Sequence, residues 1–151
     1  MKAITWLAAV TLGAGLTASA FASDLEGWSK DIDKAVAQAK KENKAVLVEF
    51  TGSDWCPPCI MMRKNVFSKK EFVDAASKNY VLVEVDVPKG DKELAAKNQI
   101  VAEKYKIEGF PTVILLNGEG KEFNRFFASE HPKVDEFLAA IDKKLASKDL
   151  D

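Results

Sequence analysis

Cys56 and Cys59 stand two residues apart in Ser53-Asp54-Trp55-Cys56-Pro57-Pro58-Cys59, and the chain contains no other cysteine. Such a pair either cycles between dithiol and disulfide or supplies part of a metal site. A closed zinc site needs further ligands, and the sole histidine, His131, lies far along the chain; redox chemistry is favoured, with Cu(I) or zinc binding kept as an alternative. The patterns described below place a strand before the pair and a helix after it. Cys56 then sits at a helix start, where unpaired N–H groups and the positive end of the helix dipole stabilise a thiolate. Cys56 is therefore expected to be the nucleophile. Cys59, one turn further and facing inward, is expected to resolve the mixed disulfide. Pro57 and Pro58 have no N–H to offer, which leaves Cys59 and Ile60 as the expected donors near the sulfur. They also fix φ at both intervening residues, favouring ring closure and hence a reducing pair.

Around this pair, Glu49 interrupts the apolar run Val46-Leu47-Val48-Glu49-Phe50. A carboxyl there either exchanges a proton with Cys59 or points into solvent at the strand end; the cost of burying it without a task favours the first. Trp55 is expected to shield the thiolate and offer a flat apolar contact to a substrate chain. Asp54 reads as loop solvation, Met61 as core, Met62 as helix surface, and His131 as a cap or surface residue before Pro132.

Positioning these residues requires a layered domain. Ile32, Ala35, Val36 and Ala39 recur at helical spacing within 29–43, and Ala45 to Phe50 reads as a strand buried on both faces. A helix follows the cysteines and is kinked or divided near Ser68, which is expected to cap a second segment reaching Lys78. Tyr80 to Val87 reads as a strand, and 92–106 as a helix with Leu94, Val101 and Tyr105 on its buried side. Thr112 to Leu116 and Lys121 to Phe127 read as a hairpin turning at Asn117-Gly118-Glu119-Gly120. Val134, Phe137, Leu138, Ile141 and Leu145 mark a last helix beginning near Pro132. The expected class is α/β, a mixed sheet with a parallel part and a C-terminal hairpin.

The chain has 151 residues, 47% hydrophobic and 30% charged, with a formal net charge of -1. That length fits one domain and can bury a core without a stapling disulfide, while the balanced charge argues against nucleic acid or an anionic membrane surface as partner. Lys2, the apolar run Ala3 to Leu16 and the small residues Ala18, Ala20 and Ala22 read as a secretory signal peptide, residues 1–22, ahead of a single domain, residues 23–151. The apolar run is shorter than the ~20 residues of a spanning helix, so a periplasmic or secreted protein without stable membrane insertion is expected, in a setting where disulfides persist.

Two stretches carry a family likeness. Trp55-Cys56-Pro57-Pro58-Cys59 resembles the active-site motif of the thioredoxin superfamily, and Ile107-Glu108-Gly109-Phe110-Pro111-Thr112 resembles its cis-proline loop. Phe50 to Cys56, Val66-Phe67-Ser68 and Asn98-Gln99 before Glu103-Lys104-Tyr105 resemble an exported bacterial branch related to the C-terminal domain of DsbD-type interchange proteins. The resemblance implies a thioredoxin fold with helices on both sheet faces and no cofactor beyond a redox-active Cys56–Cys59 disulfide. It also implies a cis Pro111 beside the sulfurs, and Phe110 backbone pairing with an extended substrate. Trp55, Pro57, Pro58, Phe110 and Pro111 form the expected substrate-contact set, and Cys56, Cys59 and Glu49 the expected catalytic set. Disulfide-containing proteins are the implied clients and a membrane-bound DsbD-type protein the implied electron donor. Here one extra residue separates the acid from the first cysteine, and Val81-Leu82-Val83 shows no match to the lysine that often accompanies that acid. Two further alternatives are an oxidase or isomerase of the same fold and a non-catalytic docking module.

Overall fold

The structure, a computed structural model, describes residues 25–148. The signal-peptide reading of residues 1–22 lies outside the described residues. In chain order the elements are α1 (Ile32–Glu42), β1 (Ala45–Thr51), α2 (Pro57–Met62), a π-helical segment (Arg63–Phe67), α3 (Lys70–Ala76), β2 (Tyr80–Asp86), α4 (Lys92–Lys104), β3 (Thr112–Leu116), β4 (Glu122–Phe127), a 3₁₀ turn (Ala128–Glu130) and α5 (Val134–Ala146). The strands form one sheet in the order β2-β1-β3-β4. β1 runs parallel to β2 and antiparallel to β3, and β4 pairs back on β3 as the C-terminal hairpin.

Strand alternation divides the core in two. Val46, Val48 and Phe50 of β1 face the layer that contains Ile32, Ala35 and Ala39 of α1 and Ala102 of α4. Ala45 and Leu47 face the other layer, with Met62, Val66, Phe67, Phe72, Phe137 and Ile141. By the same alternation Glu49 and Thr51 point to this second side, as do Glu84 and Asp86, which follow Leu82 at two-residue steps along β2. The cysteine-bearing helix and both strand glutamates therefore share one face of the sheet.

An aromatic cluster holds the helices of that face in place. Phe67 meets Trp28, Phe72 and Phe137 edge-on at centroid distances of 5.3, 5.6 and 5.2 Å. Phe67, Phe72 and Phe137 are fully buried, each contributing roughly 1.5–3 kcal/mol through burial. Trp28 also donates its indole N–H to the Phe67 carbonyl at 3.2 Å.

Several local expectations change. Ser68 closes the π segment, its N–H donating to the Arg63 carbonyl at 3.0 Å, and Lys69 takes the cap position of α3. On α4 only Ala102 is fully buried, with Leu94, Val101 and Tyr105 half-buried, because this helix lies over β2 at the edge of the sheet. Met62 is buried and Met61 is 37% exposed, the reverse of the expected assignment: Met62 falls at i+3 from Cys59, on the stripe that continues to Val66.

Candidate active site

Cys56 and Cys59 are joined by a disulfide with a Cα–Cα separation of 5.2 Å. Cys56 has extended backbone angles at the cap position of α2, with Pro57 and Pro58 as the first helical residues. Cys59 is 0% and Cys56 4% exposed, so the pair lies just beneath the surface at the helix start. The Ile60 N–H, one of the two donors expected near the sulfur, donates instead to the Cys56 carbonyl at 3.0 Å.

Two loops meet at Trp55, the residue before Cys56. The Trp55 ring meets the Phe110 ring edge-on at 5.9 Å, bringing the loop before the cysteines against the loop that ends in a cis Phe110–Pro111 bond. Pro111 is buried; its carbonyl accepts the Ala128 N–H, and Thr112 Oγ1 donates to the Gly109 carbonyl. Trp55 is 38% exposed, Pro57 is exposed and Pro58 half-buried. Ile60 and Met61 extend this apolar rim. Trp55 is also fastened: its indole N–H donates to the Val87 carbonyl at 2.8 Å, and Lys89 Nζ lies 5.0 Å from the ring centroid. A Cβ at Gly52 would stand 2.5 Å from Trp55 Cε2, so the position requires glycine for space.

Asp54, expected to be merely solvated, clamps the loop. Its carboxylate accepts the N–H groups of Lys89 and Gly90 at 2.9 and 2.7 Å, and these bonds hold its pKa below the ordinary value. Asp86 performs the same office from β2, accepting the Ser53 N–H and hydroxyl. The only histidine holds a cap position, though at the end of the 3₁₀ turn and not at the start of α5: the His131 N–H donates to the Ala128 carbonyl, and its half-buried ring packs against Phe126 and Phe137.

Glu49 is 1% exposed, which excludes the solvent-facing alternative. Its Oε1 has no hydrogen-bond partner. Burial, then the charge of Glu84, push its carboxyl well above the ordinary range; Arg63 and a Thr51 hydrogen bond oppose them, and Asp86 adds to them. Glu84 stands directly beside Glu49 in the β1–β2 register. Its Oε1 accepts from Arg63 Nη1 at 2.5 Å, and its Oε2 faces Lys30 Nζ at 3.4 Å. Sequence reasoning missed Arg63 and Glu84. One signal was present: Glu84 breaks the run Val83-Glu84-Val85 as Glu49 breaks its own.

Among the described residues no group of three or more His, Cys, Asp or Glu is placed to hold a metal ion, and no helix is long and apolar enough to cross a membrane.

The sequence matches the thioredoxin-like domain family over residues 32–144. It is 36% identical over 95 residues to the disulfide bond reductase DsbH of Chlamydia pneumoniae, covering 61% of this chain and 57% of that protein. It is 34% identical over 116 residues to the thiol:disulfide interchange protein DsbD 2 of Pseudomonas aeruginosa, covering 76% of this chain and 19% of that protein. The chain thus spans less than two thirds of the length of these relatives. Among solved structures, a DsbH oxidoreductase superposes with a TM-score of 0.65 at 30% identity, covering 92% of this chain and 94% of that one.

Proposed function

The chain belongs to the thioredoxin-like domain family, and from that membership we propose that it is an exported thiol-disulfide oxidoreductase that reduces or reshuffles disulfides in proteins. One observation carries the reading: the Cys56–Cys59 disulfide stands at a helix start, and Trp55, next to Cys56 in the chain, meets Phe110 of the loop with the cis Phe110–Pro111 bond. The names of the relatives, a disulfide bond reductase and an interchange protein, agree with it.

The reduced enzyme attacks with the Cys56 thiolate. A bond forms between Cys56 Sγ and one client sulfur, and the other client sulfur leaves as a thiolate that takes a proton from solvent. Cys59 then gives its proton to the Glu49 carboxylate and attacks Cys56 Sγ, expelling the client's second thiolate. Two electrons pass to the client, and the Cys56–Cys59 disulfide remains. In the opposite half-cycle an incoming thiolate attacks Cys56; Cys59 departs as a thiolate and Glu49 returns the proton. Burial favours the protonated carboxyl and so suits this return. Trp55, Pro57, Pro58, Phe110 and Pro111 line the client's approach. No cofactor is invoked beyond the disulfide, and a membrane-bound DsbD-type protein supplies the electrons.

The two prolines hold the reading toward the reducing end. A redox titration against thioredoxin-range standards is expected to give a potential near the roughly -270 mV of thioredoxin, and a value near the about -120 mV of a strong oxidase would reverse the direction assigned. Purified protein is expected to reduce insulin faster than it oxidises a reduced unfolded substrate.

A further inference from the structure

We propose that Arg63 and Glu84 are positioning residues for this exchange: an ion pair, one helical turn beyond Cys59 and one strand over from Glu49, that sets the charge around the Glu49 carboxyl and thereby governs when it takes or returns the Cys59 proton. The proposal rests on the reading of Cys59 as the resolving thiol, and it adds two residues that this reading does not contain.

The geometry is specific. Cys59 and Arg63 are spaced i and i+4, on one face of the continuous helical run 57–67. The π-helical turn begins at Arg63, whose guanidinium reaches Glu84 at 2.5 Å. Glu84 is 3% and Glu49 1% exposed, in direct register on adjacent parallel strands. Two buried carboxyls side by side are tolerated when at most one is an uncompensated anion. Glu84 has a cation at each oxygen, Arg63 at Oε1 and Lys30 at Oε2; Glu49 has an unpartnered oxygen. The arrangement divides the tasks, with Glu84 paired to two cations and Glu49 left with an oxygen that no neighbour engages.

The other groups around Glu49 are few. Asp86 faces the same side from β2 and is engaged by Ser53. Thr51 bonds to Glu49 from its own strand. The β3 residue in register is apolar Val113. α2 contributes the cysteines. Arg63 is the cation that acts on Glu49 and Glu84 the strongest negative neighbour, so the pair pulls Glu49 in opposite directions.

That opposition gives a test that loss of structure cannot imitate. In the full chain, oxidised and labelled with ¹³C at glutamate carboxyls, the Glu49 midpoint is expected to move acidward by about one pH unit in Glu84→Gln and alkaline by about one unit in Arg63→Gln. Arg63→Lys is expected to restore the midpoint to within about half a unit of wild type. Stopped-flow Trp fluorescence of the resolving step should show its pH profile moving with the same signs. Midpoints that stay in place, or move the same way in both Gln variants, overturn the proposal. If one variant fails to fold, judged by loss of signal dispersion, the sign in the other decides. A wild-type protein that exchanges no disulfide at any pH contradicts the proposed function itself, while the carboxyl titration still judges the coupling.

Discussion

Glu49 shows how one residue links folding to chemistry. Burial and the neighbouring Glu84 raise its pKa well above the ordinary 4.5, so the folded protein retains a proton that the unfolded chain releases. Its contribution to stability is full below that ordinary value and is lost as pH rises toward the folded-state value. Between the two, the loss has a limiting slope of about 1.4 kcal/mol per pH unit, that of one proton. Glu49→Gln is expected to flatten this slope in urea titrations across pH and, if Glu49 carries the proton, to slow the resolving step on the order of 10²-fold. An unchanged pH dependence of stability would remove Glu49 from that role. Gly52 makes a second prediction at this scale. In Gly52→Ala the added methyl collides with the fastened Trp55 ring, costing about 1–3 kcal/mol; a denaturation midpoint equal to wild type, with Trp55 fluorescence unmoved, would show that the ring yields freely.

At the scale of elements, the α2 and π segments are placed by what lies behind them. Phe67 ends the π segment and touches Trp28, Phe72 and Phe137. Phe67→Ala is expected to destabilise the protein by about 3–5 kcal/mol, and the surviving folded fraction should exchange disulfides more slowly because the helix bearing Cys59 and Arg63 loses its seat. The loop ahead of the cysteines is placed by Asp54. Because Asp54 holds its pKa below the ordinary value through the Lys89 and Gly90 N–H groups, the clamp is present above that value and weakens as pH falls through the folded-state one. Asp54→Ala is expected to speed amide exchange at Lys89 and Gly90 about tenfold, and unaltered exchange would refute the clamp. Most element types were legible in advance, since periodicity marks α1 and α5 and apolar runs mark β1, β2 and β3. Residue facing inside the divided helix was not: whether Met61 or Met62 turns inward depends on a helical phase that two adjacent methionines do not reveal.

For the molecule as a whole, the parts readable from sequence were those with a local signature. Cys56-Pro57-Pro58-Cys59 and Phe110-Pro111 are paired by family likeness alone. The links that fix their geometry join distant positions: Arg63 to Glu84, Asp54 to Gly90, Trp55 to Val87. Such contacts leave no spacing to read, because the sheet register alone brings the partners together. Glu84 is the partial exception, since a charge within an apolar strand announces a task without naming its partner. Secretion is the remaining expectation at this scale; intact-mass measurement of the protein recovered from the periplasm of an expressing bacterium should show a chain beginning at Ser23, and a full-length chain retained in the cytoplasm would contradict it. The central claim is the division of labour in the cysteine pair, and capture of a client tests it most directly. With Cys59→Ser, mass spectrometry of the reduced protein mixed with a disulfide-containing client should find a mixed disulfide at Cys56 that persists. With Cys56→Ser the corresponding adduct at Cys59, which is 0% exposed, should be absent or formed at least about 100-fold more slowly. Equal trapping at either sulfur, or none at Cys56, would contradict the account.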